Sequence, residues 1–115
     1  MHEMGIAVQI VEIAAASIPP DLETPSVERV NIKVGKLSAV IPQSLRFCFE
    51  IATKDTPLEG ATLSIEEIPV TTCCKSCGHQ QTITSPEFIC ESCGSGDLDI
   101  LSGRELDIES IELAE

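Results

Sequence analysis

Two Cys-x-x-Cys pairs, separated by twelve residues, constrain this chain more than any other feature of its sequence. The first pair is Cys74 and Cys77, the second is Cys90 and Cys93, and a glycine follows each pair. A Cys-x-x-Cys turn presents two sulfur atoms to one ion, and two such turns complete the thiolate tetrahedron that Zn²⁺ prefers. The spacing therefore predicts a four-cysteine zinc site. The site is expected to be structural, because no coordination position is left open for water.

The segment around these cysteines, about residues 70–95, has few large apolar side chains and is not expected to fold without a staple. A disulfide or a redox pair is the alternative interpretation, but a redox Cys-x-x-Cys normally stands alone at a helix start. Cys73 could replace Cys74 in a pair with Cys77, although the two-residue spacing favours Cys74. His79 is a minor alternative ligand, since four thiolates are already available.

The charge balance argues against a nucleic-acid role. The 115 residues include seven basic and nineteen acidic side chains, for a formal net charge of −12. Binding along a phosphate backbone requires clustered lysine and arginine, and this sequence contains no such cluster. No apolar run is long enough to span a bilayer, and the start does not resemble a signal peptide. We expect a cytoplasmic protein without membrane contact, in which six cysteines favour metal binding over disulfides.

Hydrophobic periodicity predicts helices and strands on both sides of the cysteine segment. The first predicted helix covers residues 3–17, and the second begins near Pro42. The predicted strands cover residues 27–34, 61–68 and 97–113. In the last strand the alternation changes register after Ile108, which predicts a bulge or a bend at that point.

The opening Met1-His2-Glu3 is a candidate chelating site. The terminal amine of Met1, the amide nitrogen of His2 and its imidazole can close two fused rings about one ion. Three nitrogen atoms in a plane favour Ni²⁺ or Cu²⁺ in square-planar geometry, and binding should strengthen with pH because these groups must lose protons. Glu3 could complete the site through its amide or carboxylate, or orient the imidazole. The alternative is that His2 and Glu3 form a solvated start of the first helix.

Further motifs are distributed over nearly the whole chain. They are the opening Met1-His2-Glu3, the run Gly35-Lys36-Leu37-Ser38-Ala39-Val40 before Pro42, then Leu45, Phe47, Phe49 and Glu50, then Glu59-Gly60-Ala61, the two cysteine motifs, and Gly103-Arg104-Glu105-Leu106. In this combination the chain resembles the HypA/HybF family of hydrogenase-maturation nickel metallochaperones. Some members carry an acidic residue near Pro42, where this chain has Val40 and Ile41, so no role for such a carboxylate is carried over.

The resemblance implies an α+β fold: two helices packed on a small mixed three-stranded sheet, with an inserted zinc-ribbon-like module. The implied domains are a nickel-binding α/β domain, residues 1–69 plus 96–115, and a zinc-binding module, residues 70–95. The implied cargo is Ni²⁺, bound through the Met1 amine, His2 and Glu3. The resemblance also implies delivery of this ion to the [NiFe]-hydrogenase large-subunit precursor, with a hydrogenase-maturation GTPase as a partner.

No GTPase loop and no nucleophile–base set is present in the sequence, so we do not expect an enzyme. The competing hypothesis is a zinc-ribbon protein-interaction module with no transferable metal, in which the amino-terminal residues are incidental. A redox enzyme that uses Cys73 with Cys74 or Cys77 is weaker, because a disulfide between adjacent cysteines is strained.

Overall fold

The computed structural model describes residues 2–114, and this part of the chain forms two α-helices and six β-strands. In chain order these are α1 (Glu3–Ala16), β1 (Val27–Gly35), α2 (Pro42–Ala52), β2 (Thr62–Ile68), β3 (Val70–Cys74), β4 (Gln80–Ile83), β5 (Leu98–Ser102) and β6 (Leu106–Leu113). The strands form two three-stranded sheets, with the spatial orders β2-β1-β6 and β4-β3-β5. The predicted α+β fold, with two helices, a mixed sheet and a ribbon-like module, is confirmed.

Both helices form where the apolar periodicity predicted them. The buried face of α1 carries Ala7, Ile10 and Ala14 at spacings of three and four residues, as an amphipathic helix requires. Helix α2 begins at Pro42, whose missing amide hydrogen is not needed in the first turn of a helix. The two helices pack against each other. No helix within residues 2–114 has the length and apolar character needed to cross a membrane.

Backbone contacts divide the chain into two compact units. The first comprises residues up to 33, residues 39–66 and the chain from 107 onward, and the second comprises residues 34–38 and 67–106. The cysteine pairs lie in the second unit and the candidate amino-terminal site lies in the first. The resemblance implies a different division, into residues 1–69 plus 96–115 and residues 70–95. That division concerns which parts of the chain fold independently, and it stays a prediction.

The strand predicted over 97–113 is two strands that belong to different sheets. The first of these strands, β5, ends just before Gly103. There φ is +118°, a backbone angle that residues with a Cβ rarely adopt. The bulge or bend expected after Ile108 stays a prediction: β6 runs through that residue, and its half-buried positions are Ile108, Ile111 and Leu113. Alternating hydrophobicity is a property of both strands and so could not reveal the glycine-dependent break between them.

The backbones at Gly35 and Gly103 approach each other closely within the second unit. A Cβ built on Gly35 would lie 2.0 Å from the carbonyl oxygen of Gly103. The Gly35 amide donates a hydrogen bond to the Glu105 carbonyl, and the Leu37 amide donates to the Gly103 carbonyl, both over 2.7 Å. Because only glycine allows this approach, the Gly35–Gly103 crossing fixes where β1 ends and where β5 gives way to β6.

Candidate metal centre

Two turns with matching hydrogen bonds carry the four cysteines. In the first turn the Gly78 amide donates to the Cys74 carbonyl, and in the second the Gly94 amide donates to the Cys90 carbonyl, each over 2.8 Å. The two glycines have φ values of +79° and +77°, in the left-handed region where a Cβ is unfavourable. The sequence places a glycine after each cysteine pair because each turn needs this backbone conformation.

The turns bring the sulfur atoms of Cys74, Cys77, Cys90 and Cys93 to within 4.8 Å of one another. The Cys74 and Cys93 sulfurs are 3.6 Å apart, and so are those of Cys77 and Cys90. Four sulfurs bound about 2.3 Å from Zn²⁺ at tetrahedral corners would be about 3.8 Å apart, whereas disulfide sulfurs are separated by only about 2.05 Å. The donor set and its spacing therefore fit a tetrahedral Zn²⁺ site and do not correspond to disulfides.

Backbone amides directed at sulfur prepare two of these cysteines to act as thiolates. The Cys77 amide and then the Ser76 amide lower the pKa of the Cys74 thiol to about 6, although burial raises it. The Cys93 amide lowers the pKa of Cys90 in the same way, again against the effect of burial. This equivalence follows from the matching geometry of the two turns, which aim their amides at the first cysteine of each pair.

The second cysteine of each pair behaves in the opposite way. The Ser95 amide lowers the pKa of Cys93, but the facing sulfur across the cluster and burial outweigh it and raise the pKa to about 12. For Cys77 the His79 amide lowers the pKa, but the Cys90 sulfur and burial produce a net rise. Four adjacent thiolates repel one another, so a bound cation is what allows all four to lose their protons.

Neither alternative ligand joins the cluster. Cys73 is next to Cys74 on β3, and successive side chains of a strand point to opposite faces. Its sulfur lies 3.7 Å from the Gly78 carbonyl oxygen and is outside the group of four. The imidazole of His79 instead contacts the Glu91 carboxylate, with 2.9 Å between Nε2 and Oε1.

Side-chain hydrogen bonds connect the two halves of the cysteine module, and sequence reasoning missed them. The amide group of Gln81 donates from Nε2 to the Ile89 carbonyl over 3.0 Å and accepts from the Glu91 backbone amide over 2.9 Å. The hydroxyl of Ser76 donates to that of Ser95 over 3.2 Å. A glutamine in a polar segment gives no sequence signal for such a role, because its partners lie eight to ten residues away.

At the other candidate site, His2 immediately precedes α1 and is exposed. Its carbonyl oxygen accepts the first hydrogen bond of the helix, from the Ile6 amide over 3.2 Å. Met1, whose amine is part of the predicted chelate, lies outside the described residues. The structure therefore presents the imidazole to solvent and uses the carbonyl of His2, rather than a nitrogen, to begin the helix.

Glu3 is buried, with only 6% of its surface exposed. The alternative in which Glu3 is a solvated residue at the start of the first helix is therefore wrong. Its Oε2 accepts a hydrogen bond over 3.3 Å from the amide of Ile41, the residue that precedes α2. Burial raises the pKa of the Glu3 carboxyl, but the Ile41 amide and its own backbone amide lower it, and the net shift is downward. The carboxylate thus holds a negative charge near the starts of both helices, where helix dipoles favour it.

Comparison with known proteins assigns this chain to one family. Residues 1–113 match the family described as "Hydrogenase/urease nickel incorporation, metallochaperone, hypA". The hydrogenase maturation factor HypA of Desulfosudis oleivorans is 67% identical over the full length of both chains, and that of Desulfatibacillum aliphaticivorans is 57% identical over all of this chain and 88% of its own.

Solved structures have the same fold. The solution structure of the Ni metallochaperone HypA from Helicobacter pylori superposes with a TM-score of 0.64 at 23% identity, covering 98% of this chain and 97% of the other. A second HypA solution structure gives a TM-score of 0.70 at 24% identity, covering 99% and 97%. With the fold, the four-cysteine cluster and the match over 113 residues in agreement, the chain belongs to the HypA family of metallochaperones.

Proposed function

We propose that this protein is a cytoplasmic nickel metallochaperone that binds Ni²⁺ through the Met1 amine and His2 and delivers it for maturation of [NiFe]-hydrogenase. The observation that carries the proposal is the match of residues 1–113 to a nickel-incorporation family. The names of the similar proteins describe hydrogenase maturation factors and a nickel metallochaperone, which supports the same cargo here. The protein accordingly transfers a metal and does not catalyse a reaction.

The position of His2 suits a site that must give up its ion. The proposed donors are the amine, the amide nitrogen and the imidazole, while the carbonyl of His2 is engaged by the Ile6 amide in α1. Nickel binding and helix formation therefore use different atoms of the same residue. The ion can be released one ligand at a time without unfolding α1, as delivery to a recipient requires.

Glu3 supports this site from beneath the surface. The buried carboxylate next to His2 opposes the positive end of α1, which would otherwise repel a divalent cation. Its backbone amide or its carboxylate completes the predicted nickel ligand set, and its hydrogen bond with the Ile41 amide fixes the direction in which α1 begins. In this proposal Glu3 both contributes charge and holds the chelating residues in place.

The second metal is structural Zn²⁺, held by Cys74, Cys77, Cys90 and Cys93. Four thiolates leave no position for a reacting water, so the ion would supply rigidity rather than chemistry. The sulfur spacing of 3.6 Å across two pairs supports this assignment. We further propose that residues 70–95 fold as a zinc-dependent module apart from the nickel-binding domain, residues 1–69 plus 96–115.

The proposed partners are the hydrogenase-maturation GTPase and the [NiFe]-hydrogenase large-subunit precursor. A metal analysis tests the proposal against a zinc-ribbon interaction module with no transferable metal. Protein with its native amino terminus is equilibrated with Ni²⁺, desalted, and mixed with apo large-subunit precursor. The proposal predicts one Zn²⁺ and one Ni²⁺ per chain, with nickel alone moving to the precursor. Binding of Zn²⁺ without a specific Ni²⁺ would leave the interaction module as the better explanation.

A further inference from the structure

Ala39 has a backbone conformation that residues other than glycine rarely adopt. Its φ is +61°, in the left-handed region, where a Cβ crowds the following carbonyl oxygen. Within residues 2–114 the other such residue is Asp55, and aspartate tolerates this region better than most residues do. The side chain of Ala39 is exposed, so burial of its methyl group does little to offset the strain. Strained backbone of this kind persists where the surrounding structure holds it, and it is frequent at functional sites.

Hydrogen bonds fix the chain immediately before Ala39. The Ser38 amide donates to the Gly35 carbonyl over 3.0 Å, and the Ser38 hydroxyl donates to the same oxygen over 2.7 Å. The Leu37 amide donates to the Gly103 carbonyl over 2.7 Å. The direction in which the chain enters Ala39 is therefore set by bonds to β1 and to Gly103.

The chain is fixed again at Ile41, just beyond Ala39. The Ile41 carbonyl accepts the first hydrogen bond of α2, from the Leu45 amide over 3.0 Å. The Ile41 amide donates to Oε2 of Glu3 over 3.3 Å. Because only Ala39 and Val40 separate Ser38 from Ile41, the φ of Ala39 largely decides where the Ile41 amide points. Rotation of Ala39 to an ordinary negative φ would turn this amide away from Glu3.

Glu3 connects this loop to the proposed nickel site. It is buried, and it follows His2 directly in the chain. In the proposed function Glu3 completes the ligand set and holds the chelating residues in place. The Ile41 amide is a contact from outside α1 that orients the Glu3 carboxylate. Groups that orient the residues of a metal site in this way affect its affinity although they do not touch the ion.

We propose that Ala39 is a positioning residue of the nickel site: its left-handed backbone aims the Ile41 amide at Glu3, and Glu3 holds the amino-terminal chelate in its binding geometry. This inference rests on the proposed function, because it adds a residue to the support of the same site. Position 39 requires a backbone conformation and not a particular side chain. Glycine and asparagine should therefore be accepted there, whereas a β-branched or bulky residue should not.

Glycine and valine variants at two positions test the proposal. Ala39→Val is compared with Ala39→Gly and with Ala39→Asn, which enlarges the side chain but tolerates a positive φ. Asp55→Val and Asp55→Gly are the matched pair, since Asp55 has a φ of +62° and its amide donates to Glu59 instead of Glu3. Calorimetry measures nickel binding to zinc-loaded protein with its native amino terminus. NMR measures hydrogen exchange of the Ile41 amide, and zinc content and melting temperature are recorded for each variant.

We expect Ala39→Val to bind Ni²⁺ about tenfold more weakly than the wild type and Ala39→Gly do, with faster exchange of its Ile41 amide and unchanged zinc content. Ala39→Asn should resemble the wild type in both nickel affinity and exchange. Asp55→Val should melt lower than Asp55→Gly but bind nickel equally well, which separates positioning from a general loss of stability. If Ala39→Val does not fold, Ala39→Leu takes its place, because a bulky residue is also unfavourable at a positive φ.

Equal nickel affinity of Ala39→Val and Ala39→Gly would overturn the proposal. An equal loss of nickel affinity between the two Asp55 variants would also overturn it, as would weaker nickel binding by Ala39→Val with unchanged exchange of the Ile41 amide. The wild type tests the function separately. If it binds nickel specifically but residue 39 has no effect, only this inference is wrong. If it does not bind nickel specifically, the proposed function is wrong, and this inference with it.

Discussion

Replacing Gly35 by alanine should strongly destabilise this protein, although the change adds one methyl group. The new Cβ would lie 2.0 Å from the Gly103 carbonyl oxygen and 2.6 Å from the Arg104 nitrogen. Both are backbone atoms, so relief requires the crossing strands to separate. That movement strains or breaks two hydrogen bonds of 2.7 Å, those of the Gly35 and Leu37 amides. Overpacking and two lost hydrogen bonds should together cost about 2–6 kcal/mol of the free energy of unfolding.

Gly5→Ala provides a matched control with the opposite expected sign. Gly5 lies within α1, and apart from its chain neighbours and the helix's own backbone no described atom lies within 4 Å of a Cβ built on it. Alanine should therefore stabilise the helix by about 0.5–1 kcal/mol. Thermal unfolding followed by circular dichroism, at constant saturating zinc, should show Gly35→Ala melting on the order of 10 °C lower and Gly5→Ala melting slightly higher. A melting temperature of Gly35→Ala equal to that of the wild type would refute the reasoning from backbone contact.

Three further predictions follow from particular contacts. In urea unfolding, Thr72→Val should raise the free energy of unfolding by about 1 kcal/mol, because the buried Thr72 hydroxyl has no hydrogen-bond partner among the described residues. Thr71→Val should lower it by about 1 kcal/mol, because the Thr71 hydroxyl forms a 2.6 Å hydrogen bond with that of Ser102. Changes of the same sign in the two variants would contradict this. Cys74→Ala should lose zinc in a metal assay and lose the hydrogen-exchange protection of residues 70–95. Cys73→Ser should keep both the zinc and the protection. Zinc loss in Cys73→Ser alone would make Cys73 the ligand. Zinc binding near pH 7.5 should release at least about two protons, because the raised pKa values of Cys77 and Cys93 keep both of these thiols protonated there. Zinc affinity should also fall as the pH drops below about 6, where Cys74 gains a proton. Release of fewer than about one proton in weakly buffered titrations would count against this cluster.

Local signals were sufficient for the helices and for the first two strands. Apolar residues at three- and four-residue steps predicted α1, and Pro42 gave the start of α2. Alternation predicted β1, and the glycines after each cysteine pair predicted turns that the positive φ values of Gly78 and Gly94 confirm. In each case the physical cause lies within a few residues of the signal.

Features that depend on distant parts of the chain were not predictable. The break between β5 and β6 requires Gly103 to meet Gly35, 68 residues earlier in the sequence. The burial of Glu3 depends on the Ile41 amide, 38 residues away. Neither partner is marked by periodicity or by spacing, because such signals report only which face of one element is apolar.

The central claim is that nickel is bound at the amino terminus, and a comparison of the two histidines tests it most directly. Nickel binding is measured by calorimetry on zinc-loaded wild type, His2→Ala and His79→Ala, all with the native Met1 amine and no preceding residue. His79 is the only other histidine and contacts Glu91 outside the sulfur cluster. The account predicts that wild type and His79→Ala bind one Ni²⁺ per chain with similar affinity, while His2→Ala keeps its zinc and its fold but loses specific nickel binding. Nickel binding by His2→Ala equal to that of the wild type would contradict it.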